Sequence, residues 1–159
     1  MTRKATQTDF HFFYRLYMHQ HVNPFLLYEI MDAESFLPIF NELESKGQLY
    51  IFEDKEQAVG MFKLVPQHHR NSHIVYLGGL AIDPDHSGKG YARKMMEEIK
   101  LLAKQKGFLR IELTVATGNE KAIELYKKAG FIHEGVLKNY TFLKSKNQFI
   151  DEAVMAFLF

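Results

Sequence analysis

Residues 83–92 read Asp-Pro-Asp-His-Ser-Gly-Lys-Gly-Tyr-Ala and separate two runs of different period. Ile74–Ile82 before them is a mostly apolar run that reads as a strand. After them, 89–106 sets Ala92, Met95, Met96, Ile99, Leu102 and Ala103 on one helical face. The chain must therefore turn from strand to helix over a few glycine-rich residues. Such a turn aims several backbone N–H groups at one point, and the helix dipole adds positive potential there, which suits a phosphate group. Gly88 and Gly90 permit positive φ and let a ligand approach the backbone. Two well-known phosphate loops do not match. A Walker loop needs Ser or Thr after Gly-Lys, and Gly90 stands there. A dinucleotide fingerprint needs Gly or Ala three places after its second glycine, and Arg93 stands there. A tight turn without a ligand is the plainer alternative.

The pattern along the chain predicts one domain over 1–159. Residues 3–5 read as a short strand, and Thr8-Asp9 as the N-cap of a helix running to about His19. Its stripe of Phe12, Phe13, Leu16 and Tyr17 has core spacing. Asn23-Pro24 marks a turn. A second helix is expected over 32–46, stopped by Gly47. Strands follow at 48–53 and 58–65, then a polar loop at 66–72. The remaining order is strand 74–82, helix 89–106, strand 109–117, helix 119–129, strand 131–143 and strand 148–159, with the tip of a hairpin at 144–147. The helix at 119–129 has a core stripe of Ala122, Leu125 and Ala129. This order predicts an α/β (α+β) fold, with a mixed, mostly antiparallel sheet of about seven strands and helices on both faces.

Composition narrows the function classes. Twenty basic and nineteen acidic side chains give a net charge of +1, which argues against a nucleic-acid binder with its basic stripe. Hydrophobic residues make up 47%, which argues against disorder. No apolar run reaches the ~18 residues of a membrane helix, and the first residues lack the apolar core of a signal peptide. A cytoplasmic protein fits. With no cysteine, disulfides, cysteine-ligated zinc and an acyl-cysteine intermediate are excluded. The eight histidines include His68-His69 and His19-x-His21, neither at a recognisable metal-ligand spacing. No metal is expected.

A second segment, 119–131, reads Asn-x-x-Ala-x-x-Leu-Tyr-x-x-x-Gly-Phe. Together with 87–92, it resembles the GNAT superfamily of N-acetyltransferases. In that family the first motif is Arg/Gln-x-x-Gly-x-Gly/Ala, and it cradles the pyrophosphate of coenzyme A. Here Gly90 and Ala92 match it and Ser87 takes the Arg/Gln place. The second motif matches at every fixed position. The C-terminal stretch, from Gly130-Phe131 through Glu134-Gly135 to Asp151-Glu152 and Met155, is similar to the branch holding ribosomal-protein and amino-acid N-acetyltransferases.

The resemblance implies a single GNAT-like domain, with acetyl-CoA as donor, an amine as acceptor, and direct transfer in a ternary complex without an acyl-enzyme. It implies that Ser87, Gly88, Lys89, Gly90, Tyr91 and Ala92 hold the diphosphate. It also implies that Leu80, Ala81 and Ile82 offer backbone groups to the pantetheine amides, as an added strand would. Gly78-Gly79 suits either a bulge in that strand or the close packing of a neighbouring side chain. Asn119 can cap its helix, and the resemblance adds a cofactor contact. Tyr126 can read as a core-edge tyrosine; by resemblance it is the acid for the departing thiolate. Some relatives place a base where Tyr76 stands. Glu112, on the polar face of strand 109–117, is the alternative base, with His73 behind it; an ion-paired surface glutamate is the plainer reading of Glu112. Residues 23–31 are expected to wall the acceptor site, with Phe25, Tyr28 and Glu29 as their distinctive side chains. The acceptor is a small-molecule amine or a protein N-terminus, and a homodimer stays open. Two other classes also stay open: a CoA-binding regulatory module without catalysis, and a protein-interaction domain using the terminal hairpin.

Overall fold

The computed structural model describes residues 1–159. In chain order it has β1 (Thr2–Lys4), α1 (Phe10–Tyr17), α2 (Ala33–Ser45), β2 (Leu49–Asp54), β3 (Gln57–Pro66), β4 (Ile74–Ile82), α3 (Tyr91–Gln105), β5 (Arg110–Ala116), α4 (Glu120–Lys128), β6 (Ile132–Leu143) and β7 (Gln148–Leu158). The seven strands form one sheet in the order β1-β2-β3-β4-β5-β7-β6. β4 and β5 run parallel, whereas β1/β2, β2/β3, β5/β7 and β6/β7 are antiparallel. This is the mixed α/β sheet that the strand and helix order predicts. No helix is long and apolar enough to cross a membrane. The chain forms two compact units, Met1–Val65 with Gly78–Ile99, and Pro66–Leu77 with Lys100–Phe159.

In the first unit, aromatic packing between α1 and α2 dominates. Phe13, Leu16 and Tyr17 of α1 are buried with Phe36 and Phe40 of α2, and Phe12 packs at the margin. Ring centroids lie 5.2 Å apart for Tyr17–Phe36 and 5.5 Å for Phe13–Phe40. Truncating one such buried ring costs about 3–5 kcal/mol. Asp9 stands at the N-cap of α1, as expected, but its side chain does not cap the helix. Asp9 takes two guanidinium hydrogen bonds from Arg3, each 2.8 Å, and one from the Thr6 N–H at 2.8 Å. A buried carboxylate gains more from that fork than from a neutral cap. α1 also ends at Tyr17 rather than near His19, and Asn23–Phe25 form a 3-10 turn. Asn23 Nδ2 donates to the carbonyls of Tyr17 and Tyr28, at 2.7 and 2.8 Å, and so fixes the path of the loop between the helices. α2 begins as expected, with Asp32 accepting from the Ser35 N–H at 2.7 Å.

In the second unit, β5 alternates as its sequence suggests: Ile111, Leu113 and Val115 are buried, and Glu112 and Thr114 half-buried. Its register with β7 sets Ile111 opposite Phe157 and Leu113 opposite Met155. The parallel ladder with β4 pairs Ile74 with Arg110, Val75 with Ile111 and Tyr76 with Glu112. It stops there, although β4 continues to Ile82 and β5 to Ala116. α4 corrects the predicted stripe. Tyr126 is its buried residue, whereas Ala122, Leu125 and Ala129 are half-buried. Gly130 at φ +93° closes the helix, and the Phe131 N–H donates to the Tyr126 carbonyl at 2.9 Å.

Candidate functional site

The loop after β4 is held from behind. Asp83 is 3% exposed. Arg15 of α1 grips it with two hydrogen bonds, at 2.6 and 3.2 Å, and the Asp85 N–H donates to it at 3.2 Å. Burial, the largest influence on this carboxyl, pushes its pKa up. The Arg15 guanidinium and the Asp85 N–H outweigh that and hold it below its ordinary value. Pro84–His86 form a 3-10 turn, and the Ser87 N–H closes it on the Pro84 carbonyl at 3.1 Å. The next residues, Gly88, Lys89 and Gly90, are exposed. Both glycines lie at φ +76°, and a Cβ at either would meet nothing within 4 Å.

α3 then starts at Tyr91, two residues later than the sequence suggests, because Gly90 is left-handed. The Tyr91 hydroxyl donates to Asp54 at 2.6 Å, which pins the first turn to the end of β2. The result is open backbone at the head of a 15-residue helix, with Lys89, Arg93 and Lys94 exposed around it. Its unpaired first-turn amides and its dipole suit a phosphate-bearing ligand.

Along β4 of the same unit, Ala81 is buried, and Leu80 and Ile82 are half-buried. Gly79 lies at φ +56°, and a Cβ there would overlap the Tyr17 hydroxyl. Of the two sequence readings for this glycine pair, close packing therefore holds at Gly79. In the loop between α1 and α2, Tyr28 packs on Tyr17 and Phe36, with centroids 5.4 and 6.1 Å away. Glu29 is half-buried and Phe25 is 59% exposed. Lys63 of β3 joins them, its Nζ 5.5 Å from the centre of the Tyr28 ring. Sequence reasoning missed Lys63, although it is the only charge inside an apolar stretch of β3.

The second unit carries the tyrosine pair. Tyr126 is 8% exposed and packs on Phe131, with centroids 5.8 Å apart. Burial, and then the neighbouring Tyr76, push its phenol far above the ordinary range. The Tyr76 hydroxyl shares a 3.2 Å hydrogen bond with Thr114 Oγ1. Asn119 caps α4, accepting from the Ala122 N–H at 3.3 Å. Glu112 lies on the half-buried face of β5 with both oxygens engaged: one accepts from Gln67 Nε2, the other from Arg110 Nε at 3.1 Å. Arg110 in turn forks onto Glu134. Glu112 is thus anchored between a neutral donor and a cation. His73 is exposed. No three His, Cys, Asp or Glu side chains gather as metal ligands would.

The family model described as Acetyltransferase (GNAT) family matches residues 10–131. Spermidine N(1)-acetyltransferase of Vibrio cholerae is 28% identical over 122 residues, 69% of this chain and 68% of that protein. L-amino acid N-acetyltransferase of Escherichia coli is 36% identical over 93 residues, 58% of this chain and 56% of that protein. Among solved structures, spermidine N-acetyltransferase of Vibrio cholerae, in complex with CoA and spermine, superposes with a TM-score of 0.86 at 21% identity, covering 99% of this chain and 94% of that one. Ribosomal-protein-alanine N-acetyltransferase from Brucella melitensis gives 0.83 at 20% identity over 100% and 99%. At these identities the structures bear on the fold.

Proposed function

We infer the chemistry from one premise: the chain belongs to the GNAT family of acetyltransferases. It is an acetyl-CoA-dependent N-acetyltransferase that moves an acetyl group to an amine. The observation that carries the assignment of the donor site is the pair of left-handed glycines, Gly88 and Gly90, with open space where side chains would be. Ser87 to Ala92 hold the diphosphate through backbone N–H groups and the dipole of α3. Backbone groups of Leu80, Ala81 and Ile82 serve the pantetheine amides, and Asn119 adds a polar contact while it caps α4. Bound there, acetyl-CoA supplies an activated thioester. The chain has no cysteine to carry an acyl group, which supports direct attack by the amine.

Tyr126 supplies the proton. A tyrosine hydroxyl is protonated at neutral pH, and burial and Tyr76 raise its pKa further; it donates a hydrogen bond to the sulfur and passes its proton once a thiolate forms there. Tyr76, hydrogen-bonded to Thr114, helps to hold that phenol environment. Glu112 remains a candidate for the amine's proton. Its two engaged oxygens favour a holding role, with proton removal then falling to water or to the fraction of amine already neutral. Phe25, Tyr28 and Glu29 wall the acceptor, which is a small-molecule amine such as an amino acid or polyamine, or a protein N-terminus.

Tyr126→Phe tests the reading, because it keeps the buried ring and removes only the hydroxyl. It should lower kcat by about 10- to 1000-fold, at the lower reach of acid–base catalysis, with unchanged affinity for CoA and an unchanged melting temperature. Full activity in this variant would take the acid role from Tyr126. CoA binding without turnover of any amine, by the unaltered protein, would favour the regulatory module.

A further inference from the structure

β3 sets one cation into its apolar stretch. Lys63 is 7% exposed, and no carboxylate on the chain pairs with it; its one neighbour of note is the Tyr28 ring, 5.5 Å from Nζ. Burial alone acts on the group and pulls its pKa down, with no opposing charge to offset it. Lysines are almost never fully buried unless they are paired. No carboxylate of the chain supplies that partner, which leaves the place open to a ligand.

The position of Lys63 says which partner. Its stem passes Gly79, with Cγ 3.7 Å from the point a Gly79 Cβ would take. Gly79 adjoins Leu80 on β4, and the ammonium lies over Tyr28 in the loop between α1 and α2. The cation therefore stands beside Tyr28, one of the residues assigned to the acceptor, and next to the strand assigned to the donor. Tyr28 in turn packs on Tyr17 and Phe36, with ring centroids 5.4 and 6.1 Å away. A desolvated ammonium beside an aromatic face suits a carboxylate, since a charge-assisted hydrogen bond strengthens where water is excluded. It disfavours a polyamine, which would set a second cation against it.

We propose that Lys63 and Tyr28 form a carboxylate subsite, so that the amine this enzyme acetylates carries its own carboxylate, as a free amino acid or a short peptide acid does. The proposal rests on the reading that residues 23–31 wall the acceptor site.

The test compares α-amino acids, their α-amides and spermidine as acceptors, scoring kcat/KM by release of CoA. The amides are more acidic amines, so each rate is referred to the concentration of neutral amine. Wild type should favour the acid over its amide by about ten-fold or more, the reach of one charge-assisted hydrogen bond, and spermidine should be a poor acceptor. Lys63→Met should bring the acid-to-amide ratio close to one, while Lys104→Met, on the exposed side of α3, should leave that ratio unmoved. Should Lys63→Met fail to fold, the wild-type ratio still decides, together with calorimetry of an N-acetyl amino acid and its amide on the CoA-bound enzyme.

Equal rates for acid and amide in wild type, a preference for spermidine, or an equal loss on both acceptors in Lys63→Met would overturn the inference; the last result would make Lys63 a base. Failure of the wall reading looks different. In that case Phe25→Ala and Tyr28→Ala would leave every acceptor KM where it was.

Discussion

Gly79→Ala places two separable costs on one added methyl group. The first is conformational. Gly79 lies at φ +56°, and an L residue in the left-handed region costs about 1–2 kcal/mol. The second is steric. The new Cβ would overlap the Tyr17 hydroxyl, and overpacking a close-packed interior costs about 1–3 kcal/mol. The sum, about 2–5 kcal/mol, is a large share of the roughly 5–15 kcal/mol that holds an ordinary domain folded. At ~2–4 °C per kcal/mol for a chain of this size, the melting temperature should fall by about 4–20 °C. Tyr17→Phe removes the atom that the methyl group strikes. In the double variant the steric part should be relieved and the conformational part retained. A cycle of four proteins, melted under one set of conditions and followed by circular dichroism, should therefore give a favourable coupling of about 1–3 kcal/mol. A Gly79→Ala protein as stable as wild type, or a cycle that is additive, would refute the packing argument.

Gly90→Val should weaken CoA binding at least ten-fold in calorimetry, because its side chain enters the space left for phosphate. The fold should lose only about 1–2 kcal/mol for the φ of +76°, and unchanged CoA affinity would remove the loop from the donor site. Glu112→Gln should lower the melting temperature by releasing the Arg110 ion pair while kcat/KM keeps its pH dependence; a loss of rate concentrated at low pH would instead make Glu112 the base. Asp83 has a folded-state pKa below its unfolded value, so its contribution to stability is complete above the ordinary carboxylate pKa of about 3.9 and is lost as pH falls through the lower folded value. Arg15→Met should shift that loss to higher pH, read as melting temperature against pH.

Local pattern reached the elements whose structure is set locally. β4 occupies the predicted residues, β5 alternates as read, and Gly88 and Gly90 take the left-handed φ that glycine permits. The rest was decided by the partners each side chain meets in the fold. Asp9 looks like a cap until Arg3 and Thr6, six and three residues before it, bind it. Alternation places Glu112 on its face, but the donor it meets there, Gln67, lies 45 residues earlier. In α4, Leu125 and Tyr126 are neighbours about 100° apart on the helix, so periodicity alone does not choose which is buried; packing on Phe131 does. Lys63 was visible as one charge in an apolar run. Its burial over Tyr28 depends on how the loop between α1 and α2 folds.

The placement of β7 imposes an order on folding. It follows β5 and β6 in the chain yet lies between them in the sheet. Until residues 148–158 are available, β6 lacks its only neighbour, and β5 shows water an open edge beside Ile111, Leu113 and Val115. A hairpin of β6 and β7 can zip early, because its contacts are short-range, and then dock on β5 as a unit. The vulnerable species during synthesis is therefore a chain stalled before β7, with one edge of an apolar strand open to another copy of itself.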